Sequence, residues 1–153
     1  MRIVHPLRDM GATSPFDVFL SYNSQDRKDI VPIYQSLRAQ GIRVWFDQDQ
    51  LRPGFPFQEV LERQLVRCSA AAVFVGKRNM GPWQIQELRS ILILLVRRKR
   101  PVIPVLLPSA TRIPELPLFL TDMTWVDFRK DPGRALAQLM WGITGKRPSS
   151  LDA

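Results

Sequence analysis

Trp83 and Glu87 stand four residues apart, directly after Gly81-Pro82. Pro82 suits an early helical position, because its ring presets the helical φ and its missing N–H would go unpaired there in any case. At about 100° of rotation per residue the two side chains fall about 40° apart, one turn from each other on the same side of the helix. A carboxylate beside an aromatic plane can stabilise positive charge next to a flat, stacked group. The inward stripe of this helix is Ile85, Leu88, Leu92 and Leu95, centred elsewhere, so Glu87 is not tied to the core. Taken alone, these residues read first as a solvated glutamate on a surface helix. The elements that position the pair have to decide.

With 153 residues, 45% hydrophobic and 24% charged, the chain suits one globular domain with a real core. The thirteen prolines fall mostly at segment edges and act as punctuation. The longest apolar run, Ile91 to Val96, falls far short of the ~20 residues of a membrane span, and the first residues lack the apolar core of a secretory signal. A soluble, cytoplasmic protein with no membrane partner is expected. One cysteine, Cys68, cannot form an intramolecular disulfide, and one histidine, His5, leaves no metal cluster, so zinc chemistry and Cys/His catalysis are not expected. The net charge of +8 is densest at Arg97-Arg98-Lys99-Arg100, where cations complement the carbonyl end of a helix. Without a basic helix carrying interleaved aromatics, a direct nucleic-acid partner is not expected.

Residues 1–15 read as a flexible leader and 146–153 as a flexible tail. Between them Phe16–Ser21 reads as a first strand, Ser21–Asp26 as a capping turn, and Ile30, Ile33, Tyr34 and Leu37 as the inner face of a helix that Gly41 ends and Pro32 must kink or tighten. Gly41–Asp47 is a second strand. The long loop from Gln48 to Pro56 follows, and then a helical face of Phe57, Val60, Leu61, Leu65 and Cys68. Cys68 reads as packed and inert. Ala70–Gly76 is a buried third strand, Pro101–Leu107 a fourth that its two prolines place near an edge, Met123–Phe128 a fifth, and Pro132–Thr144 a last helix with Leu136, Leu139, Met140 and Ile143 inward. Apolar strands alternating with amphipathic helices predict an α/β fold: an open, mostly parallel sheet with helices on both faces. Such sheets bind ligands at the carboxyl ends of their strands. If the first strand lies between the second and third, the Ser21–Ser24 turn, the Asp47–Phe57 loop and the Gly76–Trp83 loop meet there.

The residues then resemble a Toll/interleukin-1 receptor (TIR) domain of the bacterial kind, over roughly Phe16 to Gly145. The resemblance is carried by Phe16-Asp17-Val18-Phe19-Leu20-Ser21-Tyr22, by Val44-Trp45-Phe46-Asp47 followed by Leu51-Arg52-Pro53-Gly54, and by Trp83-x-x-x-Glu87. It implies a flavodoxin-like, open five-stranded parallel sheet of order 2-1-3-4-5, and NAD+ cleavage at the nicotinamide–ribose bond, giving nicotinamide with ADP-ribose or a cyclic isomer. NAD+ is then a substrate, and no cofactor is implied. Glu87 takes the catalytic position. Ser21, Tyr22, Asn23, Phe46, Asp47, Arg52, Phe55, Phe57, Gly76 and Trp83 surround the substrate. Asn23 and Arg52 stand where some NAD-cleaving relatives carry an arginine and a carboxylate, so their positions carry over and charge-dependent roles do not.

One carboxylate suffices for this chemistry, since nicotinamide leaves a pyridinium as a neutral base and needs no general acid. The resemblance further implies assembly with other TIR domains, as a homo-oligomer or filament, and a sensor domain or protein in trans. Ile91 and Leu94 project about 80° and 20° from Trp83, away from the Ile85 and Leu88 stripe, so this helix is apolar on both sides. Assembly is expected through Ile91, Leu94 and the loop at Arg52, Pro53 and Gly54. The resemblance allows two settings, bacterial antiviral defence and interference with host signalling, of which defence is favoured. The rivals are a noncatalytic TIR adaptor, a receiver domain that lacks its aspartate after Phe74-Val75-Gly76, a nucleoside deoxyribosyltransferase, and a dinucleotide-binding dehydrogenase without its Gly-x-Gly-x-x-Gly.

Overall fold

Phe16-Asp17-Val18-Phe19-Leu20-Ser21 alternates its side chains between two covered faces and forms β1 (Phe16–Ser21). A computed structural model describes residues 16–46, 53–54, 63, 66–77, 86–110, 120 and 122–152, with residues 86–88 and 91 described by backbone alone. After β1 come a 3-10 turn (Ser24–Asp26) and α1 (Arg27–Ala39), then β2 (Val44–Trp45), β3 (Cys68–Val75) and α2 (Gln86–Arg97). β4 (Val102–Leu106), β5 (Val126–Asp127), α3 (Pro132–Thr144) and a 3-10 turn at Ser149–Asp152 complete the order.

The strands form one sheet in the order β2-β1-β3-β4-β5, and every neighbouring pair is parallel. This is the expected topology. β1 sits between β2 and β3, pairing Val18 with Val44 on one side and with Ala70 on the other. Both faces are covered. Val18, Leu20, Ala72, Phe74 and Val105 pack with Ile30, Ile33 and Leu37 of α1 and with Ala135, Leu139 and Ile143 of α3. On the opposite face Phe19, Trp45, Ala71 and Val73 pack with Leu92 and Leu95 of α2. Phe19 and Trp45 stack with ring centroids 4.8 Å apart.

Several boundaries differ from the sequence expectation. Cys68 is the first residue of β3, not the end of a helical face, and is fully buried. Burial pushes its thiol far above the ordinary cysteine range, so it carries no thiolate chemistry. β2 and β5 pair over two residues each, shorter than Gly41–Asp47 and Met123–Phe128. β4 lies one strand in from the edge. Its Pro104 is tolerated because odd-numbered residues turn their backbone groups to β3, as Ala71 N–H to Pro101 O and Leu107 N–H to Val75 O show. Pro104 therefore faces the β5 side, and β5 pairs only with Val105 and Leu106.

α1 runs unbroken through Pro32, which lies on its exposed face, where water can reach the carbonyl that loses its donor. Gly41, at φ 82°, closes α1 by letting Ile42 N–H return to Leu37 O at 3.1 Å. α2 closes the same way with Lys99 at φ 58°, and Arg100 N–H donates to Leu95 O at 2.9 Å. The Arg100 guanidinium then donates to Cys68 O at 3.0 Å and Val66 O at 3.3 Å. Part of the basic run is thus structural, tying the end of α2 to the start of β3. Asp17 and Arg43 tie β1 to β2 at the same end, 2.9 Å apart.

Candidate functional site at the carboxyl edge of the sheet

The carboxyl ends of β1, β2 and β3 carry Ser21, Phe46 and Gly76, with Tyr22 and Asn23 following β1. Alternation sorts them between the two faces. Tyr22 and Phe46 pack on the α1 side, where Phe46 stacks on Tyr34 at 4.3 Å and on Tyr22 at 5.4 Å. Ser21 has the parity of Phe19, which faces α2. Its Oγ is buried and has no hydrogen-bond partner among the described residues, a state that costs stability unless something polar reaches it. α2, the helix that carries Glu87 near its start, lies on that same side.

Asn23 has a local task. Its Oδ1 accepts the Gln25 N–H at 3.0 Å and caps the 3-10 turn. The next element brings two residues that the sequence reading passed over. Asp26 is buried with its carboxylate against Gly76, so close that a Cβ on Gly76 would lie 2.6 Å from either oxygen. Arg27 is exposed and holds its guanidinium carbon 5.5 Å from the centroid of Phe46. The available signal was Gly76 itself, since a glycine closing a buried strand often marks a close approach. Gly76→Ala is expected to cost about 1–3 kcal/mol, because a short, buried aspartate cannot retreat without moving the turn. Urea unfolding of the variant checks this, and an unshifted midpoint would refute the contact.

Asp47, Arg52, Phe55, Phe57 and Trp83 lie outside the described residues. Only the backbone is described at Glu87 and Ile91, and Pro53 and Gly54 form an exposed turn with Gly54 at φ 94°. Leu94 is half-buried, while Leu92 and Leu95 are in the core as expected. Among the described residues no three His, Cys, Asp or Glu come together as metal ligands, and no helix is long and apolar enough to cross a membrane.

The family model described as TIR domain matches residues 18–140. The chain belongs to the TIR-domain family. Its solved counterparts agree on the fold: the TIR domain of the Toll-related receptor TRR-2 from Hydra magnipapillata superposes with a TM-score of 0.64 at 21% identity, covering 84% of this chain and 98% of that one. Among curated relatives, the NAD(+) hydrolase TcpA of Theionarchaea archaeon is 27% identical over 106 residues, 68% of this chain and 32% of its own length. The NAD(+) hydrolase PdTIR of Paracoccus denitrificans is 34% identical over 99 residues, 63% of this chain and 33% of its own. The 2' cyclic ADP-D-ribose synthase BtTIR of Bacteroides thetaiotaomicron is 26% identical over 98 residues, 61% of this chain and 33% of its own. This TIR domain thus spans about a third of the length of the curated relatives it matches.

Proposed function

We propose that this TIR domain cleaves NAD+ between nicotinamide and ribose, with Glu87 as the catalytic carboxylate. The observation that carries the reading is the placement of the start of α2, with Glu87, beyond β3 on the face that Ser21 shares. Relatives named NAD(+) hydrolases support the same chemistry.

In the reaction the C1′–N bond breaks and its electron pair leaves with nicotinamide as a neutral base. Positive charge is left on the ribosyl centre, where a carboxylate stabilises it. A water oxygen then bonds to C1′ and sheds a proton to solvent, giving ADP-ribose. A nucleophilic atom elsewhere in the same substrate gives a cyclic isomer instead, the kind of product named for BtTIR. Chromatography of the products from NAD+ tests the reading. Nicotinamide release by the assembled wild type but not by a Glu87 variant is expected; no release by either overturns it in favour of a noncatalytic TIR–TIR module.

The proposal includes activation by self-association in the cytoplasm of a bacterium, in antiviral defence, with a sensor acting in trans. Assembly runs through Ile91 and Leu94 of α2 and the loop around Arg52, Pro53 and Gly54. Leu94→Glu is expected to move sedimentation toward monomer and to lower activity about tenfold, as for loss of an interface anchor. Circular dichroism would confirm that the variant is folded. An unchanged sedimentation profile and activity would remove α2 from the interface.

A further inference from the structure

Cleavage at the ribose leaves open which group holds the other half of a dinucleotide, and the α1 side of the carboxyl edge offers a candidate. Arg27 follows Asp26, whose carboxylate is seated against Gly76, so the turn that presents the arginine is pinned to the end of β3. Its guanidinium lies over Phe46, itself packed by Tyr34 and Tyr22. A cation resting on an aromatic ring loses less freedom on binding, and the guanidinium fork matches two phosphate oxygens at once. The other described cations of this edge are placed differently. Arg129 follows β5, at the opposite edge of the sheet from β2 and Phe46, and Lys28 and Lys77 are exposed lysines, whose ammonium lacks the two-pronged donor of a guanidinium.

The two faces give the substrate a path. Ser21 and α2 are on one side of the sheet, Arg27 and Phe46 on the other, separated by the carboxyl ends of β3 and β1. Neighbouring strands are about 4.8 Å apart, so crossing from β3 to β2 takes about 10 Å. An extended dinucleotide is long enough to lay its nicotinamide riboside on the first side and its diphosphate over the edge.

We propose that Arg27 binds the diphosphate of the dinucleotide and so selects a dinucleotide over a nucleoside. This rests on the NAD+-cleaving reading, and the test separates the two. Steady-state nicotinamide release is measured with NAD+ and with nicotinamide riboside, which lacks the diphosphate, and ADP-ribose affinity is measured by calorimetry.

Arg27→Ala is expected to raise KM for NAD+ about tenfold or more, to weaken ADP-ribose by a similar factor, and to move KM for the riboside less than twofold. Arg27→Lys should restore part of the loss, and Lys28→Ala, removing an equal charge next door, should change neither constant. Unchanged KM for NAD+ with unchanged ADP-ribose affinity overturns the proposal while leaving cleavage intact. Equal effects of Arg27→Ala and Lys28→Ala also overturn it, since only general charge is then at work. If the wild type cleaves neither substrate, the enzymatic reading fails and calorimetry alone decides whether Arg27 holds the diphosphate. Arg27 is exposed, so thermal melts should show all three variants folded.

Discussion

Glu87→Gln is expected to lower nicotinamide release from NAD+ by on the order of 10²–10³-fold, with little change in KM. The substitution keeps the size of the side chain and its hydrogen-bonding oxygen and removes the charge. A ground-state contact to ribose hydroxyls largely survives that exchange. The attraction to a ribosyl cation does not, because that charge exists only as the C1′–N bond breaks. The loss should therefore fall on kcat, and a neutral amide should be nearly as poor as alanine. Single-turnover release of nicotinamide from NAD+ is the measurement. Release by Glu87→Gln within about threefold of wild type would mean that the carboxylate does not act on the cation, which is the core of the catalytic proposal.

Phe46→Ala is expected to cost about 3–5 kcal/mol, among the largest losses a single truncation can give. The ring is 6% exposed, belongs to the core beside α1, and stacks on two tyrosines, each such pair contributing about 0.5–1.5 kcal/mol beyond area. Among the described residues, Tyr22, Tyr34 and Arg27 lie against the ring and would border the cavity. Phe46→Leu keeps most of the volume and removes the ring face, so it should recover more than half of the stability. Urea unfolding of the two variants measures both numbers. A loss below about 1 kcal/mol for Phe46→Ala would show that Phe46 is not a core residue at all.

The architecture was legible in the sequence because periodicity and punctuation agreed. Phe16–Ser21 and Pro132–Thr144 have the boundaries that their apolar spacing and caps predicted. Alternating strands and helices announced an open parallel sheet, whereas its order 2-1-3-4-5, which the sheet shows, came with the TIR resemblance. Cys68 reads as helical because it stands three positions after Leu65, on the stripe of the preceding helical pattern, and its pairing with Phe16 across the sheet decides for the strand. β2 and β5 were overextended, since apolar composition marks burial while pairing length depends on where the neighbouring strand stops.

At the site, sequence pointed to Ser21, Tyr22, Asn23, Phe46 and Gly76 as one neighbourhood, and the strand order brings their positions to one edge. It could not sort them between faces, because that requires knowing which helix covers which side. Nor could it separate a polar residue that caps a turn, as Asn23 does, from one that meets a ligand. Asp26 and Arg27 escaped notice because they read as ordinary helix-start residues, and only the packing against Gly76 and Phe46 marks them.

The C-terminal turn bears on where this domain can be cut or fused. Beyond the family match and the end of α3, Leu151 folds back into a buried position, Arg147 pairs with Asp152 at 2.9 Å, and the same guanidinium covers Trp141 at 4.7 Å. Trimming at Gly145, where the sequence pattern stops, would strip about 1.5–3 kcal/mol of leucine burial and leave an indole, already 40% exposed, without its cover. Recombinant boundaries belong after Asp152. A shorter version would be prone to sticking through Trp141, and such clumping could be mistaken for the ordered association on which the activity is proposed to depend.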